Sequence, residues 1–378
     1  MTTVLRGMTW EHARGYGSVV AAAQAYRDVQ PDVEVKWEYR SLQAFADHPI
    51  DQLVDEYDLL VLDHPHVPLA AEAGLLAPLD GVGHDGQLAV LGAQSVGRSH
   101  ESYQHVGHQW GLATDAAAQV AAYRPDLLAE PPRDWPGVLE LARAGRVLWP
   151  AKPIDAFSSL VTVSANAGAD PMRGDGLFLP EQDALAALDL LHELAALVPS
   201  ENLAENPIQV ADALAAGDRF AYSPLLFGYT NYSREGFRTN RLRYVDIPTG
   251  PRGVAGSLLG GAGIAVSARS RHRPEARAHA FWLASATVQA GVYFDGGGQP
   301  GNAAAWEDDR TNAETLDFFR GTRATLEAAY LRPRTAVYIE LQDRLSPLVT
   351  AALAGEIADA DCVRRLNDIT SSLTKDNE

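Results

Sequence analysis

The chain of 378 residues contains one cysteine, Cys362, so it has no intrachain disulfide, thiolate cluster or N-terminal lipidation cysteine. It is short of positive charge. Lys and Arg number 31 against 49 Asp and Glu, so the net charge is 31 − 49 = −18, which repels nucleic acid and anionic membrane over most of the surface. No apolar run reaches the roughly 18 residues that a membrane-crossing helix needs. The opening Met1-Thr2-Thr3-Val4-Leu5 is polar by Arg6 and lacks the basic start and apolar stretch of about 7 to 15 residues of a secretory leader. As written, the chain is expected to be cytoplasmic, or periplasmic or extracellular if a leader has been removed. Gly-x-Ser-x-Gly and Gly-x-x-x-x-Gly-Lys motifs are absent, which argues against a nucleophile elbow and a phosphate loop. The glycines from Gly256 to Gly263 precede a short strand instead of joining a strand to a helix, so no dinucleotide or other cofactor is expected.

What is present suits a large globular protein. Hydrophobic residues make up 46% of the chain, and at ~100 to 200 residues per domain the length favours two domains. Thr3 to Trp10 reads as a strand, Val19 to Gln30 as a helix, Val33 to Tyr39 as an alternating strand and Tyr57 to Leu62 as a strand buried on both faces. This order predicts a parallel α/β sheet whose ligand lies beyond the carboxyl ends of its strands. Further on, Asp115 to Tyr123, Trp135 to Ala144, Ala184 to Val198, Pro274 to Val288, Thr311 to Leu326, Val337 to Ala354 and Ile357 to Leu373 read as helices. Arg146 to Trp149, Arg219 to Ser223, Leu242 to Ile247 and Ile264 to Ser267 read as strands.

Several segments in this order are distinctive: the run ending in Tyr57 to Pro65, Gly74-Leu75-Leu76-Ala77-Pro78-Leu79, Tyr123-Arg124-Pro125-Asp126-Leu127-Leu128 followed by Trp135, and Gly260-Gly261-Ala262-Gly263-Ile264-Ala265-Val266. Together they resemble the extracellular solute-binding proteins of family 1, the maltose-binding-like receptors of ABC importers. The resemblance implies a two-lobed α/β fold of the periplasmic-binding-protein type II kind, with discontinuous lobes joined by a hinge. Lobe one is expected over 1–112 and 260–308, lobe two over 113–259 and 309–378. It also implies a small polar organic ligand, sugar or carboxylate-like, trapped by hinge closure, and an ABC permease as partner.

The candidate ligand contacts come from three places. Trp10, Glu11, His12 and Arg14 follow the first strand and offer an indole face, a hydroxyl acceptor and a carboxylate-gripping fork. Asp63, His64 and His66 end the third strand, and an extended chain would place both imidazoles on one side of it. No metal-binding spacing is present, and no metal is expected. Tyr229, Asn231 and Tyr232 would contribute from lobe two, while Asn302 and Trp306 follow a Gln-Pro-Gly turn near the lobe boundary. Arg332 and Arg334 mark places for an acidic group or for surface ion pairs. The alternative reading is a cytoplasmic enzyme on the same scaffold, with Glu11 or Asp63 exchanging protons with His12 or His64.

Overall fold

The structure of the chain, a computed structural model, is described over residues 2–41, 50–172 and 176–375. Its principal strands are β1 (Thr3–Trp10), β2 (Val33–Arg40), β3 (Leu59–Asp63), β4 (Gly111–Ala113), β5 (Ala117–Tyr123), β6 (Tyr222–Phe227), β7 (Arg243–Val245), β8 (Leu259–Gly260) and β9 (Ala262–Val266). One sheet has the order β2-β1-β3-β9-β4. In it β1 runs parallel to β2, from Thr3 opposite Val33 to Trp10 opposite Arg40, and parallel to β3. The returning β9 is antiparallel to both β3 and β4. Interior β3 is buried on both faces along Leu59-Leu60-Val61-Leu62, whereas edge strand β2 buries Val33, Val35 and Trp37 and turns Lys36 and Glu38 to solvent, as period-two geometry demands. Helix α1 (Ser18–Val29) and the helix Arg273–Ala284 contribute to the core on one face, and Val54, Val67, Leu76 and Tyr103 belong to the core on the other.

The second sheet is built on β5, which pairs antiparallel with β6 on one edge and with β7 and β8 on the other. Sequence reading predicts a helix here. The structure makes it a strand because both faces are buried. Ala118, Val120 and Ala122 enter one core and Ala121 and Tyr123 the other, so small apolar residues occupy nearly every position and no alternation shows. Gln119 instead joins a polar ladder: its amide donates to Ser159 Oγ at 3.1 Å and accepts from Thr162 Oγ1 at 2.6 Å, on helix α2 (Pro153–Ala167). Helix α3 (Tyr338–Leu353) and the C-terminal helix Asp359–Lys375 complete this core through Leu341, Leu345, Val363 and Leu366.

The chain crosses between the sheets at Thr114–Ala116, at Gly261 and at Gln299–Gly301. The crossings are laced together. The amide of Asp115 donates to Ala262 O at 2.9 Å, Gly301 N–H to Thr114 O at 3.1 Å and the Gln299 amide to Ala116 O at 2.9 Å. Gly261 has φ +101°, and a Cβ there would lie 2.5 Å from Asp115 O, so both its conformation and its contact require glycine.

His279 is fully buried in the first core, edge-on to Tyr26 with ring centroids 4.6 Å apart, and neither ring nitrogen has a hydrogen-bond partner. Burial pulls its pKa down to about 3. The unfolded imidazole takes up a proton near pH 6.5 while the folded one does not, so stability falls as pH drops from about 6.5 toward 3. His279→Leu is expected to abolish this one-proton dependence, measured as a shallower loss of urea-unfolding free energy between pH 6.5 and 4. An unchanged slope would assign the acid lability elsewhere.

Candidate functional site

The loop after β1 is tightly wound. A Cβ on Gly15 would lie 2.4 Å from the Trp10 indole, so the ring lies directly against the Ala13–Gly17 turn. His12 Nδ1 accepts from the Arg14 amide at 3.0 Å and Ser18 Oγ donates to Arg14 O at 2.8 Å. These bonds aim the Arg14 side chain at the junction between the sheets. There its Nε and Nη2 donate to the two oxygens of Asp115 at 2.6 and 2.5 Å, and its Nη1 donates to Gly228 O at 2.9 Å. The guanidinium also lies 4.5 Å from the centre of the Tyr229 ring. Both partners of the ion pair are buried. Burial pulls the Arg14 pKa down, but the Asp115 carboxylate more than offsets this and leaves it raised. The expected carboxylate grip therefore exists, and the carboxylate belongs to the chain itself.

Around this pair lie groups with unused bonding capacity. Asp63 ends β3, the strand at the centre of the first sheet. Burial, opposed by Arg332, pushes its carboxyl up to about 6. Asp155, in the first turn of α2, is buried and raised by that burial to about 8, opposed by Lys152. No hydrogen bond to either carboxylate is made by the described residues. The charges of Asp63, Asp115 and Asp155 all act on the Tyr229 phenol, which burial raises to about 12. Carboxyl groups from the end of β3, the first crossing and the first turn of α2 thus act on one buried phenol, where low polarity makes electrostatic interactions strong.

The remaining predicted contacts divide. His12 sits edge-on to Tyr229 and Phe237, with centroids 5.0 and 6.1 Å apart, and burial followed by the Arg14 charge lowers its pKa to about 4. Glu11 points to solvent beside it, and its amide donates to Arg40 O. His64 and His66 are not on one side of an extended chain, because Pro65 places them in a 3-10 turn; His64 is buried and His66 half-buried. Asn231 donates across the junction to Gly297 O at 3.0 Å. Four residues serve the interior. Trp10 lies in the first core, the Tyr232 hydroxyl donates to Asp212 at 2.7 Å, Asn302 caps a helix through the Ala304 amide, and Trp306 donates to Pro300 O while packing against Phe319. Sequence reading missed Asp115, taken as helical, and Asp155, which resembles any acidic residue at a helix start.

A separate open groove of about 710 Å³ lies between the helix Asp85–Ala93 and the hairpin Gln104–Gln109. Two of its histidines are already engaged, His105 with Glu72 and His108 with Asp80, each at 2.8 Å. Among the described residues, no three His, Cys, Asp or Glu side chains converge as metal ligands would.

The family model for bacterial extracellular solute-binding proteins matches residues 21–316, well over half of the chain. The chain belongs to that family. Three solved structures share its fold. The maltose-bound MalE3 of T. maritima is 18% identical with a TM-score of 0.84, covering 98% of this chain and 100% of its own. The GacH receptor of Streptomyces glaucescens, solved unliganded and with acarbose, is 17% identical with a TM-score of 0.82 over 100% and 99%. An ABC transporter solute-binding protein of Agrobacterium radiobacter, in complex with ribitol, is 19% identical with a TM-score of 0.82 over 98% and 98%. The chain is accordingly a two-lobed, periplasmic-binding-protein-like solute-binding protein. Among the described residues no helix is long and apolar enough to cross a membrane.

Breaking the central ion pair on one side leaves a buried charge uncompensated, which costs about 3 to 5 kcal/mol. Arg14→Met is expected to lose stability of that order in urea unfolding. The double variant Arg14→Met/Asp115→Leu should recover most of it, and additive losses would show that the pair is not coupled.

Proposed function

We propose that the protein captures a small polyhydroxylated ligand between its lobes for delivery to an ABC permease, outside the cytoplasm as its family description implies. The observation that carries this reading is the pair of desolvated carboxyl groups without hydrogen-bond partners among the described residues, Asp63 from lobe one and Asp155 from lobe two, both acting on Tyr229. A ligand bearing several hydroxyls can donate to both at once, and the phenol ring supplies an apolar face. Relatives that hold maltose, acarbose and ribitol support a ligand of this class.

Closure would hinge on the three crossings at Thr114–Ala116, Gly261 and Gln299–Gly301. The third crossing precedes Trp306, whose packing against Phe319 ties the segment after Gln299 to lobe two. In the present structure His12 and Arg14 already touch Tyr229 across the junction, the contacts a closed cleft makes. The enzyme reading has no comparable support: neither Glu11 with His12 nor Asp63 with His64 is a hydrogen-bonded pair among the described residues.

A thermal-shift screen of sugars and polyols, followed by calorimetric titration of the hits, tests the reading, because a ligand bound only by the folded state raises apparent stability. Asp63→Asn should weaken binding by roughly 10- to 100-fold, the loss of one hydrogen bond to a charged group, and Asp155→Asn, whose carboxyl is mostly protonated near pH 7, by roughly 2- to 10-fold, the loss of one neutral hydrogen bond. Full affinity in both variants would place the ligand elsewhere.

A further inference from the structure

Three buried polar groups from separate segments meet at the edge of this cleft. Arg332 is 8% exposed. Its Nε donates to Leu259 O at 3.1 Å and its Nη1 approaches Gln342 Oε1 at 3.5 Å, with no carboxylate within 4 Å among the described residues. It differs in this from Arg14, paired with Asp115, and from Arg334, paired with Glu101. Tyr338 opens α3, is fully buried and lies beside the Arg332 guanidinium, yet its hydroxyl completes no hydrogen bond of good geometry. His64 is 1% exposed with both ring nitrogens unpartnered, and after burial the Arg332 charge has the largest effect on it. Helix α3 packs directly against the His64–His66 turn, so these groups are neighbours by construction of the fold.

A buried guanidinium with unused N–H groups, a hydroxyl and an imidazole make a donor-rich corner. Neutral polyols use donors and acceptors about equally, whereas a carboxylate needs donors alone, and a guanidinium fork matches its two oxygens. Leaving such groups unpaired in the interior is unfavourable, and an anionic ligand group removes that penalty. The positive end of α3 at Tyr338 acts in the same direction. Asp63, whose carboxyl senses the Arg332 charge, is left to accept a neighbouring hydroxyl.

We infer that the ligand is a sugar acid, with its carboxylate held by Arg332, Tyr338 and His64 and its hydroxyls by Asp63 and Asp155. This rests on the polyhydroxylated-ligand reading above and narrows it. The test compares matched pairs by calorimetric titration: gluconate with sorbitol, galacturonate with galactose, glucuronate with glucose. At least one acid is expected to bind roughly 10- to 100-fold more tightly than its neutral partner. That ratio should fall toward one in Arg332→Gln and decrease several-fold in Tyr338→Phe. The second variant removes only a hydroxyl that completes no hydrogen bond of good geometry, so its unfolding midpoint should stay near the parent's, which guards against misreading an unfolded Arg332 variant. Neutral members binding as tightly as their acids, or ratios unmoved by both substitutions, overturns the acid assignment and leaves the polyhydroxyl reading standing. If no member of any pair binds, the polyhydroxyl reading itself fails, and the acid assignment with it.

Discussion

The ion pair between Arg14 and Asp115 is the constraint on which the junction depends. It joins three parts of the molecule: the turn after β1, the first crossing between the lobes, and the end of β6 through Gly228 O and Tyr229. A buried pair is tolerable only when geometry is good and the remaining N–H groups are satisfied. The winding of the Ala13–Gly17 turn, with Trp10 against Gly15, is what brings the guanidinium to that point. Once those three parts are held together, Asp63 and Asp155 are carried to the same phenol from opposite lobes.

This arrangement separates two kinds of buried charge. Arg14 and Asp115 satisfy each other and belong to the scaffold. Asp63, Asp155 and Arg332 have no ion-pair partner within 4 Å among the described residues. With water excluded by closure, a hydrogen bond to any of them is stronger than on the surface. A chain with a net charge of −18 thus keeps a few buried polar groups of both signs, each placed by a different segment.

Much of the first sheet was legible because its signals are local. Alternation in Val33-Glu34-Val35-Lys36-Trp37 marks an edge strand, and the apolar run Leu59 to Leu62 marks an interior one. The strand β5 was not legible, since small residues buried on two faces leave no period to read. Candidate contacts divided for a similar reason. Arg14, Asp63 and His64 end or follow strands, where topology points to a site; Arg14 reaches Asp115 at the first crossing and Asp63 acts on Tyr229. Trp306 and Tyr232 look the same in sequence as ligand-facing aromatics, and only their hydrogen bonds to Pro300 O and Asp212 show that they serve the interior.

By itself the sequence determined the class of the fold, the order of its segments and the exclusion of disulfide and nucleic-acid chemistry, because composition, charge and periodicity are properties of neighbours along the chain. Tertiary structure alone decided which charges are matched. Arg14 and Asp115 are 101 residues apart, and Asp63 and Asp155, from segments equally remote in sequence, act on the same Tyr229 phenol. Whether a charged group stabilises the scaffold or awaits a ligand depends on what stands within a few ångströms of it, and sequence spacing carries no information about that distance.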